Sequence, residues 1–164
     1  MHEGSTVNVP LMVAMIICGT FAILAMVFTL IWVALRRKIS ARVEMAVGLL
    51  SGEQIIEITR RANFFGRRSV GMGQLRGNGV LVLTASALHF FMYLPRREYV
   101  VQLEKFTGVE HPLSFLGEYV GQRLLVVRYQ GNGSYDEVGF WVPRPLEWGR
   151  KITEAARAVR ESTG

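Results

Sequence analysis

The sequence predicts an α+β chain: one membrane-spanning helix, then a small antiparallel domain of about seven strands that ends in an amphipathic helix. Three observations carry this reading. Val9 to Leu35 is an unbroken run of 27 residues without a charge. After Gln54 the apolar period changes from helical to strand-like, and turn residues punctuate it at short intervals. From Pro145 onward one apolar stripe at helical spacing closes the chain.

A spanning helix needs roughly 20 apolar residues. At about 1.5 Å per residue the run reaches about 40 Å, beyond a hydrocarbon core of about 30 Å, so a tilt or an interfacial end is expected. Pro10 suits the first helical turn, where its missing N–H costs nothing. Trp32 lies near the basic end, at headgroup level. Charge gives the orientation. All 19 Lys and Arg side chains follow Leu35, beginning with Arg36, Arg37 and Lys38, whereas only His2 and Glu3 precede the run. The positive-inside rule therefore puts residues 1–8 outside as a short extracytoplasmic tail, 9–35 in the inner membrane, and the rest in the cytoplasm. A cleaved signal would place basic residues before a shorter stretch; here they follow it, and Val33-Ala34-Leu35-Arg36 is a poor cleavage site.

Residues 36–52 read as a basic amphipathic connector. Ile39, Val43, Val47 and Leu50 form an apolar stripe, with Ser51-Gly52 as the stop. It either continues the spanning helix or lies on the membrane. Its Arg36, Arg37, Lys38 and Arg42 are expected to contact lipid headgroups, each contributing about 1 kcal/mol near an anionic leaflet.

Residues 53–164 form the expected domain. Ile56 and Ile58 alternate with Glu57 and Thr59, and Tyr99, Val101 and Leu103 alternate with their neighbours. Leu125, Val127 and Tyr129 share one face, as do Val138, Phe140 and Val142. Gly79–Thr84 and Leu88–Leu94 are more continuously apolar, as central strands can be. Asn78-Gly79, Pro95-Arg96 and Gly131-Asn132-Gly133 mark turns. In the closing helix Trp148, Ile152, Ala155 and Val159 make the buried stripe. Gly149 costs that helix about 1 kcal/mol relative to Ala.

Gly79-Val80-Leu81-Val82-Leu83-Thr84, a short turn, then Leu88-His89-Phe90-Phe91 resembles the second and third strands of bacterial pleckstrin-homology-like (PH-like) and GRAM-like domains. Pro95-Arg96-Arg97 and the Trp148 helix are also similar to that group, and the likeness spans about residues 53–162. Family members usually place Asp or Asn and then Arg where this chain has Ala85-Ser86-Ala87. The resemblance implies a seven-stranded, helix-capped barrel with a binding role and no catalysis. Many eukaryotic members bind phosphoinositide headgroups through basic residues along the first strands. The matching positions are Arg60, Arg61, Arg67, Arg68 and Arg76.

Within this set, Arg60-Arg61-Ala62-Asn63-Phe64-Phe65-Gly66-Arg67-Arg68 is the most informative stretch. Two aromatics between arginine pairs suit a loop that faces the bilayer, headgroups outside and acyl chains beneath. The alternative is that Phe64, Phe65 or both plug the domain while the arginines are merely solvated.

Chemistry is harder to assemble. Gly71-Met72-Gly73-Gln74-Leu75-Arg76 lacks the third glycine of a dinucleotide loop, and no P-loop Lys-Ser/Thr follows. His89 and His111 lack a metal-ligand pattern in sequence, and no nucleophile–base–orienter set is present. The single cysteine, Cys18, falls inside the apolar run, so no disulfide is expected. The reading is a non-catalytic module without cofactor or metal. The 19 basic against 12 acidic side chains after Leu35 favour anionic lipid at the inner membrane surface, or a protein partner. The alternative is a structural subunit assembling through sheet edges and the spanning helix, where Ala14, Cys18 and Ala22 supply a small-residue face. Nucleic acid would want aromatic–basic stacking strips that the chain lacks.

Overall fold

The structure, a computed structural model, describes residues 9–50, 52–131 and 133–163. The expected extracytoplasmic tail (1–8), Ser51 of the connector's stop and Asn132 of a turn lie outside the described residues, as do the side chains of Arg36, Lys38 and Arg42. By its internal contacts the chain divides after Ala41.

A single helix, α1, runs unbroken over Val9–Leu49, so the connector continues the apolar helix. Its Ile17–Ala34 stretch has a mean hydropathy of 2.3 and none of it is buried by protein, making it long and apolar enough to cross a membrane. The last turns of α1 belong with the second unit. Val43 and Leu50 are buried against Val80, Val82 and Phe91 of the sheet, with Ile55 and Tyr93 packed around them. Each such aliphatic side chain contributes about 1.5–3 kcal/mol by burial.

Among the described residues nine strands follow: β1 (Ile55–Arg67), β2 (Gly77–Thr84), β3 (Ala87–Met92), β4 (Glu98–Gln102), β5 (Phe106–Glu110), β6 (Ser114–Phe115), β7 (Glu118–Tyr119), β8 (Leu125–Gln130) and β9 (Tyr135–Trp141). Seven of them make one antiparallel sheet in the order β4-β3-β2-β1-β9-β8-β5, and β6 with β7 forms a separate hairpin. The long β1 serves both halves of the sheet, pairing with β2 as far as Phe64 and with β9 from Asn63. Register shifts at Ile55/Glu57, Thr59/Ala62 and Phe64/Gly66 bend it to do so, as bulges do by adding an unopposed residue.

Two expectations need correcting. Arg60–Arg68 is not a loop: residues 60–67 continue β1, and Arg68 opens a 3-10 turn. The adjacent arginines sit in the Thr59/Ala62 bulge, which hides the strand's alternation. Nor is a closed barrel found. β4 and β5 form the two ends of the sheet order, and a 3-10 turn at Leu103–Lys105 carries the chain from one to the other. The final helix, α2 (Pro145–Thr163), packs on that turn and on β5 and β8, burying Trp148, Ile152, Ala155 and Ala156 in the main core.

Both faces of β2 and β3 are covered, which explains their continuous apolar runs. Leu81, Leu83, Leu88 and Phe90 point into the main core, whereas Val80, Val82 and Phe91 lie under the end of α1. Thr84 secures the β2–β3 turn: its hydroxyl accepts from the backbone N–H of Ala87 at 3.1 Å and of Ser86 at 3.3 Å. That side chain does locally what Asp or Asn does in such turns. A Cβ at Gly149 would come 2.6 Å from the His111 imidazole, so a side chain there would have to displace that ring.

Candidate functional site

Phe64 is fully buried, its ring stacked 4.3 Å from Tyr99 and 5.6 Å from Phe90, with Phe140 tilted at 5.8 Å. Phe65 points to the other face, and Phe115, Leu124 and Val126 bury it beside the β6–β7 hairpin. Adjacent strand residues face opposite ways, yet here each side has its own cover. The bilayer-facing reading of these two rings is therefore overturned; both are core.

The arginines separate into three groups. Arg68 donates from Nε to Glu137 Oε2 at 2.6 Å, and its guanidinium lies 5.5 Å from the centre of the Phe115 ring. Arg76 is ion-paired with Glu118. Arg67 is half-buried in a seam beside Tyr129 and Asp136. Arg60 and Arg61 are exposed and, among the described residues, pair with no carboxylate. Arg37 on α1 is exposed too.

Sequence reasoning missed the exposed apolar residues of the β1–β2 loop and the β3–β4 turn. Tyr93 donates from its hydroxyl to the Arg60 carbonyl at 2.9 Å, which ties β1 to the β3–β4 turn. Burial pushes that phenol up, although Arg60 opposes the shift. In the same turn Leu94 is 82% exposed and is followed by exposed Arg96 and Arg97. The Leu94 carbonyl lies 3.3 Å from where a Gly77 Cβ would stand, so the β1–β2 loop adjoins this turn. That loop displays Val70 and Leu75 at 50% exposure and Met72 at 72%. It is braced from within: the Arg67 backbone N–H donates to Gln74 Oε1, and Gln74 Nε2 donates to the Arg67 carbonyl, both at 2.7 Å. The available signal was single apolar residues between glycines, a pattern that reads equally as flexible loop.

Two carboxylate arrangements were also invisible in sequence. His89 lies 3.3 Å from Glu98 and 3.9 Å from Glu53, brought there by β3–β4 pairing and by the turn after α1. The buried Asp136 accepts from the Ser69 N–H and hydroxyl, the Glu137 N–H and the Tyr129 hydroxyl. Burial pushes its carboxyl up, but these four donors outweigh burial and hold it below its ordinary value of 3.8. Its stabilisation is thus complete above about 3.8 and is lost as pH falls through the lowered value. Asp136→Asn is expected to cost about 1.5–3 kcal/mol at neutral pH, the range for hydrogen bonds to charged groups. Denaturant midpoints measured against pH should show the gap from wild type closing in acid; a gap independent of pH would refute the assignment. Among the described residues, no three His, Cys, Asp or Glu side chains gather as metal ligands.

No protein-family model matches the chain, and no curated protein matches it. Among solved structures it is similar to the C-terminal domain of an unknown protein from Leishmania infantum, at 13% identity and a TM-score of 0.50, over 71% of this chain and 97% of that one. It is also similar to the Vps36 N-terminal PH domain, at 12% identity and a TM-score of 0.49, over 68% of this chain and 84% of that one. At 13% identity the Leishmania likeness shows fold alone.

Proposed function

We propose that this chain is a single-pass, membrane-tethered binding module of the PH-like kind, whose loop end meets anionic headgroups at the inner membrane surface. The observation that carries the reading is the β3–β4 turn, where exposed Leu94 is followed by Arg96 and Arg97 and which Tyr93 ties to exposed Arg60; none of these arginines pairs with a carboxylate among the described residues. Inserting one such apolar side chain contributes up to about 1.5–3 kcal/mol, and each headgroup-facing arginine about 1 kcal/mol. A helix with the length and hydropathy to anchor the chain raises the local lipid concentration, so contacts weak in isolation become populated.

A nitroxide at Leu94→Cys, in a Cys18→Ala background, tests this with the full chain in nanodiscs. With anionic lipid the label should become accessible to a lipid-soluble relaxation agent and lose that accessibility in high salt. Equal, purely aqueous accessibility in anionic and neutral discs would reject the proposal. Assembly of copies edge to edge is the second reading, favoured by the position of β4 at the edge of the sheet. It predicts more than one chain per disc and strong spin–spin broadening from a label at Val100.

A further inference from the structure

We propose that the seam between β4 and the β8–β9 hairpin is a binding site for one small soluble oxyanion, a carboxylate or a phosphate, with Arg67 as its principal donor. The site shares Arg67 and Ser69 with the base of the β1–β2 loop and does not depend on lipid contact. It is a pocket of about 310 Å³ walled by the end of β4, Lys105 of the 3-10 turn, the β8–β9 hairpin and Arg67 at the end of β1.

Three features define what it takes. The first is an unmet donor: Arg67 Nε is buried and has no hydrogen-bond acceptor. The guanidinium also reaches the Tyr129 hydroxyl, but a buried N–H left without an acceptor is costly, and native structures usually reserve such groups for a partner. The second is that the carboxylate lining the pocket, Asp136, is already committed. Asp136 Oδ1 accepts from the Ser69 and Glu137 N–H groups at 2.9 and 2.8 Å, and Oδ2 accepts from the Ser69 and Tyr129 hydroxyls at 2.6 and 3.0 Å. An ionised carboxylate offers about four lone-pair sites, and these four donors fill them. The third is charge. Lys105 lines the same pocket and, among the described residues, has no carboxylate partner, so two cations face one occupied anion.

The geometry thus lacks one acceptor-only group. A planar guanidinium matches a pair of oxygens, as carboxylate and phosphate both provide, and Lys105 adds a second positive charge. Gln102 and Gln130 line the pocket and offer amides to any further polar atom of the ligand. A volume of about 310 Å³ is at the lower end for small-molecule sites, which run roughly 300–1,000 Å³. It suits a compound of a few carbons better than a peptide.

The test uses the full chain in neutral-lipid nanodiscs with nitrogen-15 arginine, following the Nε–H resonances. Inorganic phosphate and succinate are titrated separately, with ionic strength held constant by chloride. The expected result is a saturable shift of the Arg67 resonance with at least one anion, while Arg60 and Arg96 stay still. Saturation with phosphate alone assigns phosphate, with succinate alone carboxylate, and with both the shared chemistry. Arg67→Gln should abolish binding as read by calorimetry with the same anion, and Lys105→Gln, at an exposed position, should weaken the Arg67 response about five-fold. No saturable shift with either anion, or binding unchanged in Lys105→Gln, would overturn the proposal.

Discussion

Phe64→Ala is expected to destabilise residues 42–164 by about 3–5 kcal/mol, the range for removing a buried phenylalanine. The ring has no exposed surface and touches Phe90, Tyr99 and Phe140 at once. Its loss leaves a cavity where the two halves of the sheet meet, because β1 pairs with both β2 and β9 at this residue. Aromatic neighbours on both half-sheets cannot collapse into the space without shifting the strands that carry them. Phe64→Leu, which keeps most of the volume, should cost clearly less. Denaturant unfolding of the full chain in detergent, followed by tryptophan fluorescence, measures both. A small loss in the alanine variant together with weakened lipid contact would return the ring to the surface role expected from sequence.

Leu50→Ala should cost about 2–5 kcal/mol, and the loss should be concentrated where α1 meets the sheet. Leu50 is 5% exposed and shares its cluster with Val43, Val80, Val82 and Phe91. Without that contact the outer face of β2 and β3 keeps apolar side chains and loses part of its cover. Hydrogen exchange should then speed up at residues 43–50 first, while the core beneath α2 stays protected. If exchange at residues 43–50 were already as fast in wild type as in an isolated helix, the docking itself would be wrong.

The larger architecture was legible because it follows from periodicity. The charge-free run, the strand alternation at Leu125–Tyr129 and the stripe from Trp148 to Val159 all correspond to elements of the structure. The candidate site was legible only in part, for reasons that lie in packing. Phe64 and Phe65 looked like a surface pair because alternation puts one of two neighbours outside; the cover of Phe65 by Phe115 of the short β6–β7 hairpin, with Leu124 and Val126, reverses that. Arg68 and Arg76 looked free because their partners, Glu137 and Glu118, are distant in sequence. Leu94 was read as the end of an apolar strand, whereas β3 stops at Met92 and leaves it in the turn. The Arg67 seam depends on a curved sheet bringing β4 towards the β8–β9 hairpin, which no local pattern encodes.

Lipid contact by the loop end requires residues 42–164 to occupy the anionic, cytoplasmic side of the membrane. In a Cys18→Ala background, a single cysteine at Ser5 or at Ser162 is challenged in intact cells with a membrane-impermeant maleimide. The positive-inside distribution predicts labelling at Ser5 and protection at Ser162 until the cells are opened. Labelling at Ser162 with protection at Ser5 would contradict it, placing the domain on the opposite side from the leaflet it is proposed to read.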